Sequence, residues 1–275
     1  MEQGMSSRLG AVLAALDAGM DIVELGHPLH SAVPALPTQP GFRSALMQRH
    51  GDRTFDGGLS AANEMMVMGT HVGTHIDAFC HISHNGQLHG GVDAVASQRG
   101  GAFDTGSIDE LPPLVSRGVL LDVAAHRGRD HLDGGDVVTA DDLADVAVAA
   151  GVAVGSGDVV CVRTGWARRY GDAAAYLGTD GGCPGLVESA AHWLADRGVC
   201  AVGTDTLQFD AVPDGGIPHD LACHRVLLVE QQISILENLW LEGVAGRGVV
   251  EFVFVAAPLR LVGATGSPLR PFALV

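Results

Sequence analysis

Histidine and aspartate recur two and four residues apart in His71-Val-Gly-Thr-His75-Ile-Asp77-Ala-Phe-Cys-His81. Five of the chain's 13 histidines fall between His71 and His89. Neutral imidazole and carboxylate are preferred donors for zinc, manganese or iron. His71, His75, Asp77 and His81 share parity, so an extended backbone sends all four to one face. A helix would join His71 to His75 but turn Asp77 away, and Gly73 and Thr74 are poor helix formers. Four extended residues span roughly 13 Å, about the limit at which two histidines share one ion. The segment is therefore expected to curl, and Gly73 permits that. Clustered histidines can also be ordinary hydrogen-bonded polar groups. The HxGTHxD spacing followed by a further histidine favours ligation.

Ligands this close in sequence rarely complete a site. A catalytic metal usually takes one more from elsewhere and leaves a position for water. The best candidates lie in His219–Glu237. Glu237 directly follows the apolar run Ile233-Ser-Ile-Leu, where a carboxylate is costly to bury unless paired or bound to a cation. Glu230 is its rival, and His219 and His224 are alternatives for the histidine.

The string HVGTHIDAFCH resembles the signature of the cyclase family of metal-dependent hydrolases, HxGTHxDAxxH in one branch. That family includes bacterial kynurenine formamidase and isatin hydrolase. Further likeness runs along almost the whole chain. It covers Asp158-Val-Val-Cys-Val-Arg163-Thr-Gly-Trp166, Gly203-Thr-Asp205-Thr-Leu-Gln-Phe-Asp210, His224-Arg-Val-Leu-Leu228 and Gly263–Pro268 with Arg270-Pro-Phe. The resemblance implies a single α/β domain over residues 1–275 with a swivelling β/β/α architecture. It implies a divalent ion, zinc or manganese, held by His71, His75, Asp77, His224 and Glu237, with room for a second ion bridged by Asp77. His81, beyond the ligand cluster, is assigned general acid/base chemistry. Phe79 stands where kynurenine formamidase has proline, Gln208 where the family has serine, and His89 where many members have tyrosine. These three and Trp166 are the expected substrate contacts. The family's subunits associate, so a homodimer or homotetramer is expected.

The formal net charge of −16 argues against nucleic acid and anionic membranes as partners, because either requires a basic face. No run reaches transmembrane length. Residues 1–19 lack the basic-then-apolar pattern of a secretory leader. Five dispersed cysteines suit reduced thiols in a cytoplasm, and Cys161 and Cys200, in apolar runs, read as core residues. Gly155-Ser156-Gly157 is a turn rather than a nucleophile motif, and no Walker A or GxGxxG follows a strand.

Periodicity and punctuation place the elements. Helices are expected over Ser7–Ala18, Thr139–Ala150 and Gly185–Arg197. Strands are expected over Asp21–Leu25, Glu64–Gly69, Gly118–Val123, Asp158–Arg163, Val199–Gly203, Val249–Ala257 and Leu259–Val262. Val226–Glu237 fits either class. Val33–Gly58 reads as a long excursion without period and Gly263–Pro268 as a loop. Alternation of helix and strand in the middle, with strand-rich ends, favours one mixed α/β domain over a doubly wound sheet.

The expected activity is hydrolysis of an amide or lactam C–N bond in a small, cyclic or aryl molecule. The alternatives are ester or lactone hydrolysis or C–C cleavage at the same metal, or a metal-binding protein without turnover.

Overall fold

Near-continuous apolar runs such as Val159-Val-Cys-Val mark strands covered on both faces. Four strands lie side by side and parallel: Leu114–Asp122, Val159–Arg163, Ala201–Thr204 and Ser234–Glu237. Antiparallel strands extend them on both sides. Glu251–Ala256, Phe272–Leu274 and Ile22–Glu24 continue from the first of the four. His75–Asp77 and Gly266–Pro268 continue from the last, making a sheet of nine strands among the described residues. The computed structural model describes residues 19–179, 181–214 and 220–275. The helix expected over Ser7–Ala18 lies outside them.

Successive residues of each central strand feed opposite faces. Val160 and Val162 join a core beneath helices Ala140–Ala150 and Glu188–Ala195. Val159 and Cys161 join a second core with Ile76, Leu236 and Phe254. The helix Ala140–Ala150 starts at a capping box between Thr139 and Asp142 and stops at Gly151, whose φ is 65°. The result is one mixed α/β domain.

The ambiguous stretch Val226–Glu237 contains both classes. Arg225–Glu230 is helical and Ser234–Glu237 is a strand. Within Gly185–Arg197, Gly185–Leu186 pairs with Val137–Val138, and the helix runs only over Glu188–Ala195. Leu259–Val262 is not a strand; the chain turns there, with Leu261 N–H bonded to the Leu259 carbonyl. The expected loop Gly263–Pro268 instead ends in the strand Gly266–Pro268. Its Gly-Ser-Pro composition hid it from propensity. The excursion Val33–Gly58 holds the strand Arg43–Gln48, paired with Asn63–Val67 in a ribbon. Both faces of that ribbon are largely solvent-exposed, so no alternation betrayed it. Cys161 is buried as expected, but Cys200 is exposed, its Sγ 3.2 Å from the Gly157 carbonyl.

Candidate metal centre

The first histidine motif is not one long strand. Only His75–Asp77 is extended and paired. Gly73, at φ 69°, turns the chain just before it, in the left-handed region that glycine enters readily. The register of the sheet then builds the site. His75 lies opposite Glu237 on the neighbouring strand, and Asp77, two residues on, shares the face of His75. On the other side Asp77 faces Gly266. A Cβ at Gly266 would lie 2.7 Å from the His71 ring, so the missing side chain makes room for that imidazole. His224 arrives from the short helix Ala222–His224.

Four side chains thereby converge. His75 Nε2 is 3.3 Å from Glu237 Oε2 and 3.5 Å from Asp77 Oδ1. His224 Nε2 is 3.4 Å from Glu237 Oε1 and 3.6 Å from Asp77 Oδ2. His71 lies beside them, its Nδ1 2.7 Å from Asp77 Oδ1 and its Nε2 2.9 Å from Thr265 Oγ1. His81 stacks on His71. Ligand atoms of His75, Asp77 and Glu237 lie within 4.8 Å of one another, as do those of His71, Asp77 and His81. His75 Nε2 and Asp77 Oδ2 are buried without hydrogen-bond partners. Such atoms are costly to leave unsatisfied. The donor set and these two orphaned atoms fit a divalent transition-metal ion.

The surroundings fix the charges. Burial opposes ionisation of Asp77, yet the imidazoles of His81, His224 and His71 hold its carboxyl well below the usual range. Glu237, likewise buried, is drawn down to about 2 by the adjacent imidazoles of His224 and His75. Burial disfavours cationic His75 and His224, but their carboxylate neighbours outweigh it and raise both pKa values. His81 behaves oppositely: burial takes it down to about 4.

A cavity of about 90 Å³ opens on this cluster, lined by His71, His81, His224, Glu237, Gln208, Leu36, Gln39, Leu207 and Leu221. Phe79 and His89 instead line a separate cavity of about 70 Å³. Trp166 is 2% exposed and donates its indole N–H to the Tyr176 carbonyl, in a core cluster with Tyr170 and Tyr176. Of the expected substrate contacts, only Gln208 borders the metal cluster. A groove of about 760 Å³, lined by residues such as Leu29, Met66, Met68 and Leu269, shares no residue with it.

Glu230 pairs with Arg225 in a partly exposed position, away from the four convergent side chains. His219 lies outside the described residues. Thr74 bridges segments: its hydroxyl donates to the Asn238 carbonyl at 2.6 Å and accepts from His27 N–H. Sequence reasoning assigned no role to Thr265 or Asp210. Thr265 sits in a Gly-rich stretch with no chemical signal. Asp210 stood in a recognised motif, at the end of Gly203–Asp210.

Comparison with known proteins agrees with this geometry. Residues 23–211 match the family model described as "Putative cyclase". The chain is 28% identical to isatin hydrolase of Roseibium aggregatum, covering 99% of this chain and 98% of that protein. It is 27% identical to kynurenine formamidase of Sphingopyxis alaskensis, over 90% of this chain and 95% of that one. The solved structure of isatin hydrolase A from Ralstonia solanacearum superposes with a TM-score of 0.76 at 28% identity, covering 97% of each chain. With the HxGTHxD residues meeting His224 and Glu237 around one centre, the chain belongs to the cyclase family of metal-dependent hydrolases.

Proposed function

We propose that this protein is an amidohydrolase that opens a C–N amide or lactam bond in a small cyclic or aryl molecule. The observation that carries the reading is the pair of buried, unpartnered donor atoms, His75 Nε2 and Asp77 Oδ2, within a ring completed by His224 and Glu237. Its relatives include an isatin hydrolase and a kynurenine formamidase.

The residues that would hold zinc or manganese are His75, Asp77, His224 and Glu237, with His71 alongside through Asp77. When bound, a divalent ion supplies Lewis acidity, acidifying water and polarising the scissile carbonyl. The chain's own residues supply the rest. His81 faces the cavity and is neutral at pH 7, so it can accept a proton from water and return it to the leaving nitrogen. Glu237 is held in place by the Phe209 N–H, which donates to Oε1 at 2.7 Å. Leu36, Leu207 and Leu221 give the cavity an apolar wall that limits access of bulk water. Gln208 is the side chain placed to hydrogen-bond a substrate.

Kinetics with isatin, N-formylkynurenine, lactams and lactones test this reading. A cyclic or aryl amide is expected to be preferred, with N-formylkynurenine poor. A kcat/KM for N-formylkynurenine of about 10⁴ M⁻¹s⁻¹ or more would mark a formamidase instead. Preference for lactones or for C–C cleavage would retain the site but change the bond. Metal analysis of protein purified without chelator is the parallel check, with stoichiometric zinc or manganese expected.

The same proposal places the protein in a reducing cytoplasm as a homodimer or homotetramer. No helix among the described residues is long and apolar enough to cross a membrane. The five cysteines are free thiols. The ribbon Arg43–Gln48/Asn63–Val67 exposes Leu46, Met47, Met65, Met66 and Val67, and an isolated two-stranded ribbon is marginal in water. A second subunit would cover it. Light scattering that finds a monomer at micromolar concentration would refute the assembly.

A further inference from the structure

We infer that Asp210 is a positioning residue for the metal centre, one carboxylate that fixes both the backbone and the ring of His224. The inference rests on the metal reading of the site. Asp210 is 5% exposed, and both of its oxygens are engaged. Oδ1 accepts the Cys223 N–H at 2.7 Å. Oδ2 accepts the His224 N–H at 3.3 Å and lies 2.5 Å from His224 Nδ1.

The backbone needs this support. The helix Ala222–His224 begins after Leu221, which sits at φ 43° and offers no capping side chain. A left-handed conformation is costly for a branched residue, and the first N–H groups of a helix have no partner within it. Asp210 supplies from a distance the bonds that a capping residue would make.

The ring needs it too. An imidazole that carries its proton on Nδ1 leaves the lone pair on Nε2. His224 Nε2 points to Asp77 Oδ2 and Glu237 Oε1, the same carboxylates that face His75 Nε2. His75 has its tautomer set by a neutral acceptor, the Gly73 carbonyl at 2.8 Å. His224 has it set by a carboxylate, which also raises the basicity of the ligating nitrogen. The residue before Asp210 acts on the same site, since Phe209 N–H holds Glu237. A single turn of chain thus steadies two ligands from two different elements.

Asp210→Asn tests the role with little change of shape. An amide presents one acceptor and one donor. If the NH₂ faces His224 Nδ1, the proton must move to Nε2 and block the lone pair. If the oxygen faces the ring, the NH₂ opposes the Cys223 N–H. Either way zinc should bind about 10–100-fold more weakly by titration calorimetry. The melting temperature of the metal-free variant separates this from simple loss of structure. In ¹⁵N-histidine NMR of the zinc-loaded wild type, His224 should carry its proton on Nδ1 and bind through Nε2.

A zinc affinity for Asp210→Asn within about threefold of wild type overturns the inference and leaves the metal reading standing. So does a His224 that binds through Nδ1, which decides the matter even if the variant fails to fold. A wild type that takes up no zinc, manganese or other divalent ion overturns the metal reading, and this inference with it.

Discussion

The imidazole of His81 lies over that of His71, with ring centroids 3.9 Å apart and planes 25° from parallel. Both rings border the cavity, and His71 is tied at both nitrogens, to Asp77 and to Thr265. In the proposed mechanism the two rings in contact would have different duties: one would brace a carboxylate and the other would move a proton. His81→Ala should lower turnover by about 10²–10⁴-fold while zinc affinity stays within a few-fold of wild type. Calorimetry and steady-state rates check both. Loss of metal from that variant would make His81 a ligand.

The four-residue ring should make metal and stability interdependent. A ligand that binds only the folded state adds about 2.7 kcal/mol when present at 100 times its dissociation constant. For a domain of this size that raises the melting temperature by roughly 5–10 °C. The gain should vanish in Asp77→Ala and in Glu237→Gln, whose new NH₂ would face either His75 Nε2 or the Phe209 N–H. An equal zinc-induced shift in these variants would remove both residues from the ligand set.

Gly73 turns the chain at φ 69°, and its carbonyl receives His75 Nδ1. Gly73→Ala places a Cβ 2.7 Å from Leu29 Cδ2 and forces alanine into the left-handed region. The flexible leucine can yield, but the backbone cannot. Stability should fall by about 1–2 kcal/mol, with weaker zinc binding because His75 is displaced. Urea denaturation of the metal-free protein measures the first effect. An unchanged midpoint would show that the turn carries no strain for alanine.

Away from the metal, His27 stacks on Tyr170 with centroids 3.6 Å apart, and burial lowers its pKa to about 4. An unfolded chain titrates this imidazole near pH 6.5, so between pH 6.5 and about 4 the unfolded state binds the extra proton. The stabilisation is therefore present above pH 6.5 and lost as the pH falls toward 4. Between pH 7.5 and 5.5 the metal-free wild type should lose about 1 kcal/mol more than His27→Phe. Equal losses in urea titrations would show that His27 protonates as freely folded as unfolded.

Much of this was legible because chemistry and periodicity coincided. The parity of His75 and Asp77, the apolar run before Glu237 and the Thr139 cap each state a local rule that the fold obeys, whereas the turn at Gly73 breaks the extended run that would have included His71. What stayed hidden was set by tertiary partners. Gly266–Pro268 looks like a loop because its role is to leave space opposite Asp77, and only pairing with His75–Asp77 makes it a strand. Phe79 and His89 are near the ligands in sequence, but the turn after Asp77 carries them to another cavity. Trp166 follows a strand end that resembles a site edge, yet its indole is used inside the core. Asp210 was visible as part of a motif, but its partner His224 is met only after the chain has folded back.

The pairing of Gly266–Pro268 with His75–Asp77 also sets a timetable. A ribosome adding about 5–20 residues per second delivers His75 and Asp77 roughly 10–40 s before the strand that flanks them. During that interval the first ligands are exposed without the glycine that accommodates His71 or the threonine that holds it. Ribosome-bound chains ending before Gly266 should accordingly retain no zinc after gel filtration. On that schedule metallation would follow translation, decided by whichever ions the finished chain meets first.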